Sequence, residues 1–379
     1  MSRYRESDLS RIRSVPMQAR GSLVREDALY RPPDDPTRFS DYWDSLPSIL
    51  GAADLKSVVH AILASRAADR PVLALCGAHV LKTGLGPGLI RLLEEKLVTG
   101  IGFHGAGAVH DVELGLWGET SEDVASELHE GLFGMARETA ALLNEAAREA
   151  AARQEGLGEA IGRTILETDR GAGSRSVLAC AYRLGVPATV HVAIGTDVNH
   201  QHPDFDGAAF GAASARDFRI LAAQVEGIAG GTVLNLGSAV ILPEVFLKAF
   251  SVAKNLGAPS EGMTTAVFDF QRHYRPAENV VRRPTLGGGK GYYLIGQHEV
   301  LLPLLIQGCL FERARTTGPR ASTEGGHAGE VSPAGEPPDA GAPGRATQGG
   351  AAPGSPAPGG SARPRSSPPG GTPPERNKS

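Results

Sequence analysis

Short apolar runs and helix-like stretches alternate along this chain. Residues 71–75, 97–103, 188–194, 232–236, 264–270 and 292–295 are brief, apolar and rich in β-branched side chains, as buried strands are. Between them, apolar residues return at helical spacing. Leu55, Val58, Val59, Ile62 and Leu63 mark a helix over 41–66, and others are expected over 89–96, 156–166, 176–184, 217–228, 238–256 and 299–311. The stretch 119–153 opens with Thr120-Ser121-Glu122-Asp123, suited to a helix start, and becomes alanine-rich. It is long for one helix, so a break near 131–134 is expected. Strand and helix thus alternate from about 55 to 311. This predicts an α/β fold: a doubly wound, mostly parallel sheet with helices on both faces.

The ends of the chain read differently. Residues 1–40 are charged and carry Arg31-Pro32-Pro33-Asp34-Asp35-Pro36, an N-terminal arm ahead of a domain over 41–312. Beyond Phe311 there is no Phe, Tyr or Trp, and proline and glycine dominate. Such a segment, 313–379, cannot bury enough apolar surface to offset its ordering entropy and is expected to be disordered.

Composition narrows the class. Of 379 residues, 41% are hydrophobic and 21% charged, and the net charge of −4 speaks against nucleic acid as a partner. No apolar run is long enough for a membrane span, and the first residues lack an apolar signal segment. Cys76, Cys180 and Cys309 stand far apart in apolar contexts and read as buried thiols in a reducing compartment. The expected location is cytoplasmic.

In doubly wound sheets ligands bind at the carboxyl ends of the strands. Four polar or glycine-bearing turns fall there: 82–88 (KTGLGPG), 102–111 (GFHGAGAVHD), 195–206 (GTDVNHQHPDFD) and 237–240 (GSAV). Small residues between strand and helix let backbone amides approach an anion, although none of these turns has the G-x-G-x-x-G spacing of the dinucleotide fingerprint. The second and third turns also hold His104, His110, Asp111, Thr196, Asp197, Asn199, His200, His202, Asp204 and Asp206. Imidazoles beside carboxylates suit a divalent metal, general base chemistry near neutral pH, or a solvated loop whose side chains cap one another. Lys82 is placed to meet a phosphate. Lys290, in GGGKG, is a candidate imine former or an exposed lysine on a flexible turn. Arg272, Arg275, Arg282 and Arg283, with His273 and Tyr274 between, form a basic stretch for an anionic substrate, a neighbouring subunit or solvent.

In this order, GAHVLKTGLGPGLIRLLEEKLVTGIGFHGAGAVHD, SVLACAYRLGVPATVHVAIGTD, LNLGSAVILPEVFLKAFSVAKNLG and EVLLPLL resemble the deoxyhypusine synthase family, its deoxyhypusine synthase-like branch in particular. The likeness runs from about residue 40 to 312. It implies a Rossmann-like fold, a homotetramer with the site between subunits, and NAD as cofactor. It also implies aminoalkyl transfer through dehydrogenation and an imine. The cofactor positions it implies are Lys82, Thr83, Gly84, Gly105, Ala106, Gly107, Asp197, Gly237 and Ser238, with Gln297 and His298 near an Asp-Ala pair.

The polyamine side departs from the pattern. Where the family has Val-Glu-Glu-Asp this chain has Ala108-Val109-His110-Asp111, and the family's second aspartate falls at His202. Its Trp-Gly-Lys falls near Arg283-Pro284-Thr285, leaving Lys290 as the nearest lysine. Burying a polycation requires carboxylates. The sequence therefore predicts an NAD-dependent transferase for a small amine or amino compound other than spermidine, with Lys290, His110, His200 and His202 as catalytic candidates. A non-catalytic NAD-binding homologue and a metal-dependent enzyme using the His/Asp cluster are the alternatives.

Overall fold

A computed structural model describes residues 29–32, 35 and 37–317. Most of the expected arm and nearly all of the expected tail lie outside the described residues. Six parallel strands form one sheet: β1 (Val72–Cys76), β2 (Gly100–His104), β3 (Ala188–His191), β4 (Thr232–Leu236), β5 (Thr264–Asp269) and β6 (Lys290–Ile295). Their order is β3-β2-β1-β4-β5-β6, the doubly wound order of dinucleotide-binding folds. In register, Cys76 stands beside Phe103 on one side and Leu236 on the other.

Alternation along the strands divides the core. Val72, Ala74 and Cys76 join the larger cluster with α2 (Leu50–Ala67), α4 (Gly86–Glu94), α9 (Val177–Leu184) and α13 (His298–Thr317). Leu73 and Leu75 face the other way, onto α10 (Gly207–Glu226) and α11 (Ile241–Asn255). Because both faces are covered, the strands read as continuous apolar runs. Ahead of α2, α1 (Phe39–Ser45) is held to α13 by Trp43, whose Nε1 donates to Glu312 Oε1 at 2.8 Å.

Three boundaries differ from expectation, two of them for a capping reason. The turn expected over 102–111 is the end of β2 followed at once by α5 (Gly105–Leu116). The helix expected from 119 starts at Val124 as α6 (Val124–Glu130), because Asp123 accepts from the Ala125 amide. It ends at Gly131 in the left-handed region, and α7 (Arg137–Arg153) follows. Likewise α10 starts ten residues before its expected start, because Asp206 accepts from the Ala208 and Ala209 amides.

Asp111 is buried on α5 and has a structural task. Its carboxylate accepts from Ser176 Oγ at 2.6 Å and from the Val177 and Leu178 amides at 2.7 and 2.9 Å, closing the start of α9. Asp217, on α10, does the same for α8 (Leu157–Thr168): it accepts from the Gly158 amide at 2.9 Å and, on β3, from the Val190 amide at 2.7 Å. Burial pushes these carboxyls up, Asp111 to about 6 and Asp217 to about 7, although the hydrogen bonds pull the other way.

Replacing Asp111 with Ala leaves three donors without an acceptor in a dry interior. Chemical denaturation is expected to show a loss of about 3 kcal/mol or more. For pH, the sign follows from the raised carboxyl of Asp217. The folded chain holds that proton more tightly than the unfolded chain, so its contribution is full below about pH 4 and is lost as pH rises through about 7. Below pH ~6.5 His104 and His191, lowered by burial to about 4, act with the opposite sign. The clean window is therefore roughly pH 6.5 to 8. Across it the melting temperature should fall by on the order of 2 °C, and Asp217→Asn should remove that fall. A wild-type melting temperature that rises over this window contradicts the assignment.

Candidate functional site

Between β1 and β4 the strand order turns outward in both directions, the place where doubly wound sheets form their ligand crevice. The two chains leave the sheet in close contact. The Gly77 amide donates to the Leu236 carbonyl at 2.8 Å, and a Cβ on Gly77 would lie 2.1 Å from the Gly237 carbonyl oxygen. Gly237 has φ +67, which favours glycine. Gly77, directly after the apolar run of β1, is thus the glycine that borders the crevice. Lys82, Thr83 and Gly84 lie at the far end of the five-residue α3 (Ala78–Lys82), where carbonyls rather than amides point outward. Thr83 Oγ1 spends its hydrogen on the carbonyls of His79 or Val80, and Lys82 is exposed.

Each helix start along this edge needs acceptors. At α5 the acceptor is internal. The Asp197 carboxylate sits over this helix start: a Cβ on Gly105 would lie 1.9 Å from Asp197 Oδ2, and the nearby Ala106 amide favours its charged form. At Gly105 the missing side chain makes room for Asp197, and at Gly107 for Phe103. Burial raises the Asp197 carboxyl to about 6, and its Oδ2 has no hydrogen-bond partner among the described residues. At α3 the Ala78 amide donates to His104 Nε2 at 3.2 Å. Burial, and then the charge of His110, lower His104 to about 4, so it stays neutral.

The start of α11 is different. No side chain caps Val240, and Ser238 Oγ reaches only the Leu242 amide, at 3.2 Å. The amides of Ala239, Val240 and Ile241 meet no acceptor among the described residues. A 15-residue helix therefore opens its positive end at the switch point. Ser238 is held below it by Asn235, whose Nδ2 donates to the Ser238 carbonyl at 3.0 Å.

The histidines do not converge. His200 Nδ1 accepts from the Gly195 and Asp197 amides at 3.1 and 3.3 Å, and its ring packs on Phe205 and Phe210. Its Nε2 stands 3.9 Å from Asp197 Oδ2. His202 points elsewhere, donating from Nε2 to the Gly134 carbonyl at 3.0 Å. Asp204 accepts from Asn144, which in turn receives Asn199. Among the described residues no three His, Cys, Asp or Glu side chains are grouped to hold a metal ion. The loop 195–206 is therefore tied down by its own polar groups, one of the readings its sequence allowed.

Down α5 from Asp197, at a rise of about 1.5 Å per residue, His110 Nδ1 lies 2.7 Å from Thr120 Oγ1. Thr120 passes its own hydrogen to Glu113, so His110 donates from Nδ1, and in its neutral form Nε2 is the free lone pair. Glu113 also receives Thr139. Burial works against its charge, but the hydrogen bonds from His110, Thr120 and Thr139 outweigh it and hold the carboxyl below its ordinary value. Beside it lies a cleft of about 750 Å³ lined by Glu113, Glu119, Glu122, Glu127 and Glu138 and walled by Trp117. No lysine or arginine lines it. Five glutamates thus gather here from residues 113–138. Sequence reading missed them because they come from three segments separated by loops.

Lys290 is not brought to the crevice. It opens β6, exposed, with its amide bound to the Met263 carbonyl, at the opposite end of the sheet. A six-residue strand at about 3.3 Å per residue separates the two ends. Gln297 is exposed and caps α13 through its carbonyl, whereas His298 is buried over the crevice. The basic stretch is internally paired: Arg272 stacks on Tyr293 at 4.9 Å, Arg275 meets Glu244, and Arg282 and Arg283 meet Glu278.

No family model and no curated protein matches this chain. Solved structures do align with it. One is ArgZ, an arginine dihydrolase of the cyanobacterial ornithine-ammonia cycle, at 18% identity and TM-score 0.44, covering 73% of this chain and 33% of that one. A conserved LOR/SDH protein of Methanococcus maripaludis aligns at 13% identity and TM-score 0.44, over 80% and 76% of the two chains. A candidate deoxyhypusine synthase of Entamoeba histolytica aligns at 12% identity and TM-score 0.43, over 73% and 94%. This chain spans about a third of the length of the arginine dihydrolase. At these identities the likeness concerns the fold and leaves the reaction to this chain's own residues.

Proposed function

We propose that this chain is an NAD-dependent transferase acting on a small amine or amino compound, using dehydrogenation and imine chemistry to move an aminoalkyl group. The observation that carries the cofactor is the open start of α11 at the switch point of a β3-β2-β1-β4-β5-β6 sheet. The residues present fit NAD. The amides of Ala239, Val240 and Ile241 suit its pyrophosphate, the side-chain-free Gly77 and Gly237 border the crevice, and Asp197 Oδ2 is an unused acceptor for a hydroxyl. When bound, NAD supplies a hydride acceptor.

The amine side rests on the glutamate cleft. Its carboxylates offset the cost of taking an ammonium group from water, and Trp117 offers a ring face to a cation. His110 Nε2, held as a lone pair by the Thr120 and Glu113 chain, is the base nearest that cleft. A homotetramer with the site between subunits goes with this reading, and sedimentation velocity tests it. The placement of Lys290 favours a second reading, an NAD-binding homologue without group transfer; NADH production over a panel of amines separates the two.

Calorimetry with NAD is expected to show binding in the micromolar to millimolar range. Val240→Asp puts a carboxylate at the open helix start, which is favourable for α11. That variant should keep its melting temperature and bind NAD roughly tenfold more weakly or worse, a loss of about 1.4 kcal/mol. Absence of NAD binding to the wild-type protein at about millimolar concentration, or unchanged binding by Val240→Asp, overturns the assignment of this helix start.

A further inference from the structure

Three rings meet over the carboxyl ends of β4, β5 and β6, apart from Asp197 and from the glutamate cleft. His298, the first residue of α13, is 1% exposed. Its Nε2 lies 3.2 Å from the Phe268 carbonyl, which has no hydrogen to give, so Nε2 carries the proton and donates. That fixes the tautomer. Nδ1 is then a bare lone pair, and it has no partner among the described residues. The ring is seated on glycine: a Cβ on Gly237 would lie 2.8 Å from Nε2 and 2.9 Å from Cε1. His79, exposed on α3, stands edge-on to His298 with centroids 5.6 Å apart and planes at 65°. Phe270, 47% exposed, completes the group at 6.2 Å from His298 and 6.1 Å from His79.

A buried acceptor without a donor costs roughly 1–3 kcal/mol, so an orphan of this kind asks for an explanation. Packing alone does not supply one, because an apolar side chain would fill the space without that cost. The ring also adjoins the open start of α11, where a ligand's polar groups would lie.

We propose that His298 and His79 form a proton-relay pair at the switch point, in which His298 Nδ1 takes the proton of a ligand O–H or N–H and His79 passes it to solvent. The inference rests on the crevice being the ligand site, as argued above. In the first step the ligand's O–H or N–H bond breaks, its electron pair stays on the ligand atom, and the proton binds Nδ1. His298 becomes an imidazolium whose Nε2–H still donates to Phe268. In the second step Nδ1 gives its proton, through an intervening water, to an unprotonated nitrogen of His79, which releases one to solvent. No electrons change hands.

The surroundings suit a transient cation. Burial holds His298 below the ordinary histidine value, and a charged His79 adds to this, so the ring waits as a neutral acceptor. The Phe268 carbonyl, Asp269 at the end of β5 and Glu299 on α13 act the other way and make the cation reachable. His273, 3.7 Å from Asp269, is the remaining titratable group facing that carboxylate.

Imidazole ¹⁵N spectra of the full chain without ligand, from about pH 5 to 8, test the pair. His298 should show a protonated Nε2 and a bare Nδ1, and the Nδ1 resonance should move with pH. His79→Ala and, as a second variant that keeps a polar side chain, His79→Gln should abolish that movement. A His298 that carries its proton on Nδ1, or an Nδ1 resonance indifferent to His79, overturns the relay. NAD calorimetry separates the two ideas. Binding with an indifferent Nδ1 defeats the relay and leaves the cofactor reading standing; coupled rings without NAD binding uphold the relay and defeat the cofactor reading.

Discussion

Every helix begins with amides that its own carbonyls cannot reach, and each buried one must find an acceptor. Several of the helix starts around this sheet are closed from within. Asp197 serves α5, His104 serves α3, Asp111 serves α9, Asp217 serves α8 and Asp206 serves α10. These contacts join segments far apart in sequence, so they fix how the helices sit on the sheet. The start of α11, beside the point where the strand order reverses, has no such carboxylate; there only Ser238 Oγ accepts, from the Leu242 amide.

Closing helix starts with buried carboxylates has a consequence for charge. Asp111, Asp197 and Asp217 sit where water cannot reach them well, and burial outweighs the amides that favour their ionised form. The same low polarity keeps His104 and His191 neutral. The interior near the carboxyl edge thus holds groups of both kinds whose protonation differs between folded and unfolded chains. Stability and site chemistry are coupled to pH through the same residues.

The site divides into parts with different chemistry. The crevice at α11 offers amides and suits an anion. The cleft beside α5 offers glutamates and suits a cation. His110 stands by the second and His298 by the first, each with one ring nitrogen held by a fixed partner and the other left bare. A pyrophosphate-bearing cofactor and an amine substrate, as proposed, make opposite electrostatic demands on these two surfaces.

Strands, helices and their alternation were legible in the chain because burial on both faces writes itself as short apolar runs, and six of six expected strands are present. The carboxyl-edge turns were legible for the same reason: strand ends are where polar residues resume. Which turn faces a ligand was not legible. Gly105–Gly107 and Gly237–Ser238 look alike as text, and only the folded chain shows that Asp197 has filled the first and left the second open. His200 and His202 suggested one cluster because they are two residues apart, yet a 3-10 turn and separate backbone partners send them apart. Lys290 opens β6 at the end of the sheet away from the switch point, a placement its local sequence did not reveal. Local pattern determines which elements form, because burial acts residue by residue. The identity of the open helix start, the glutamate cleft and the bare His298 nitrogen belongs to the tertiary structure, because each depends on what distant segments bring to satisfy or abandon a polar group.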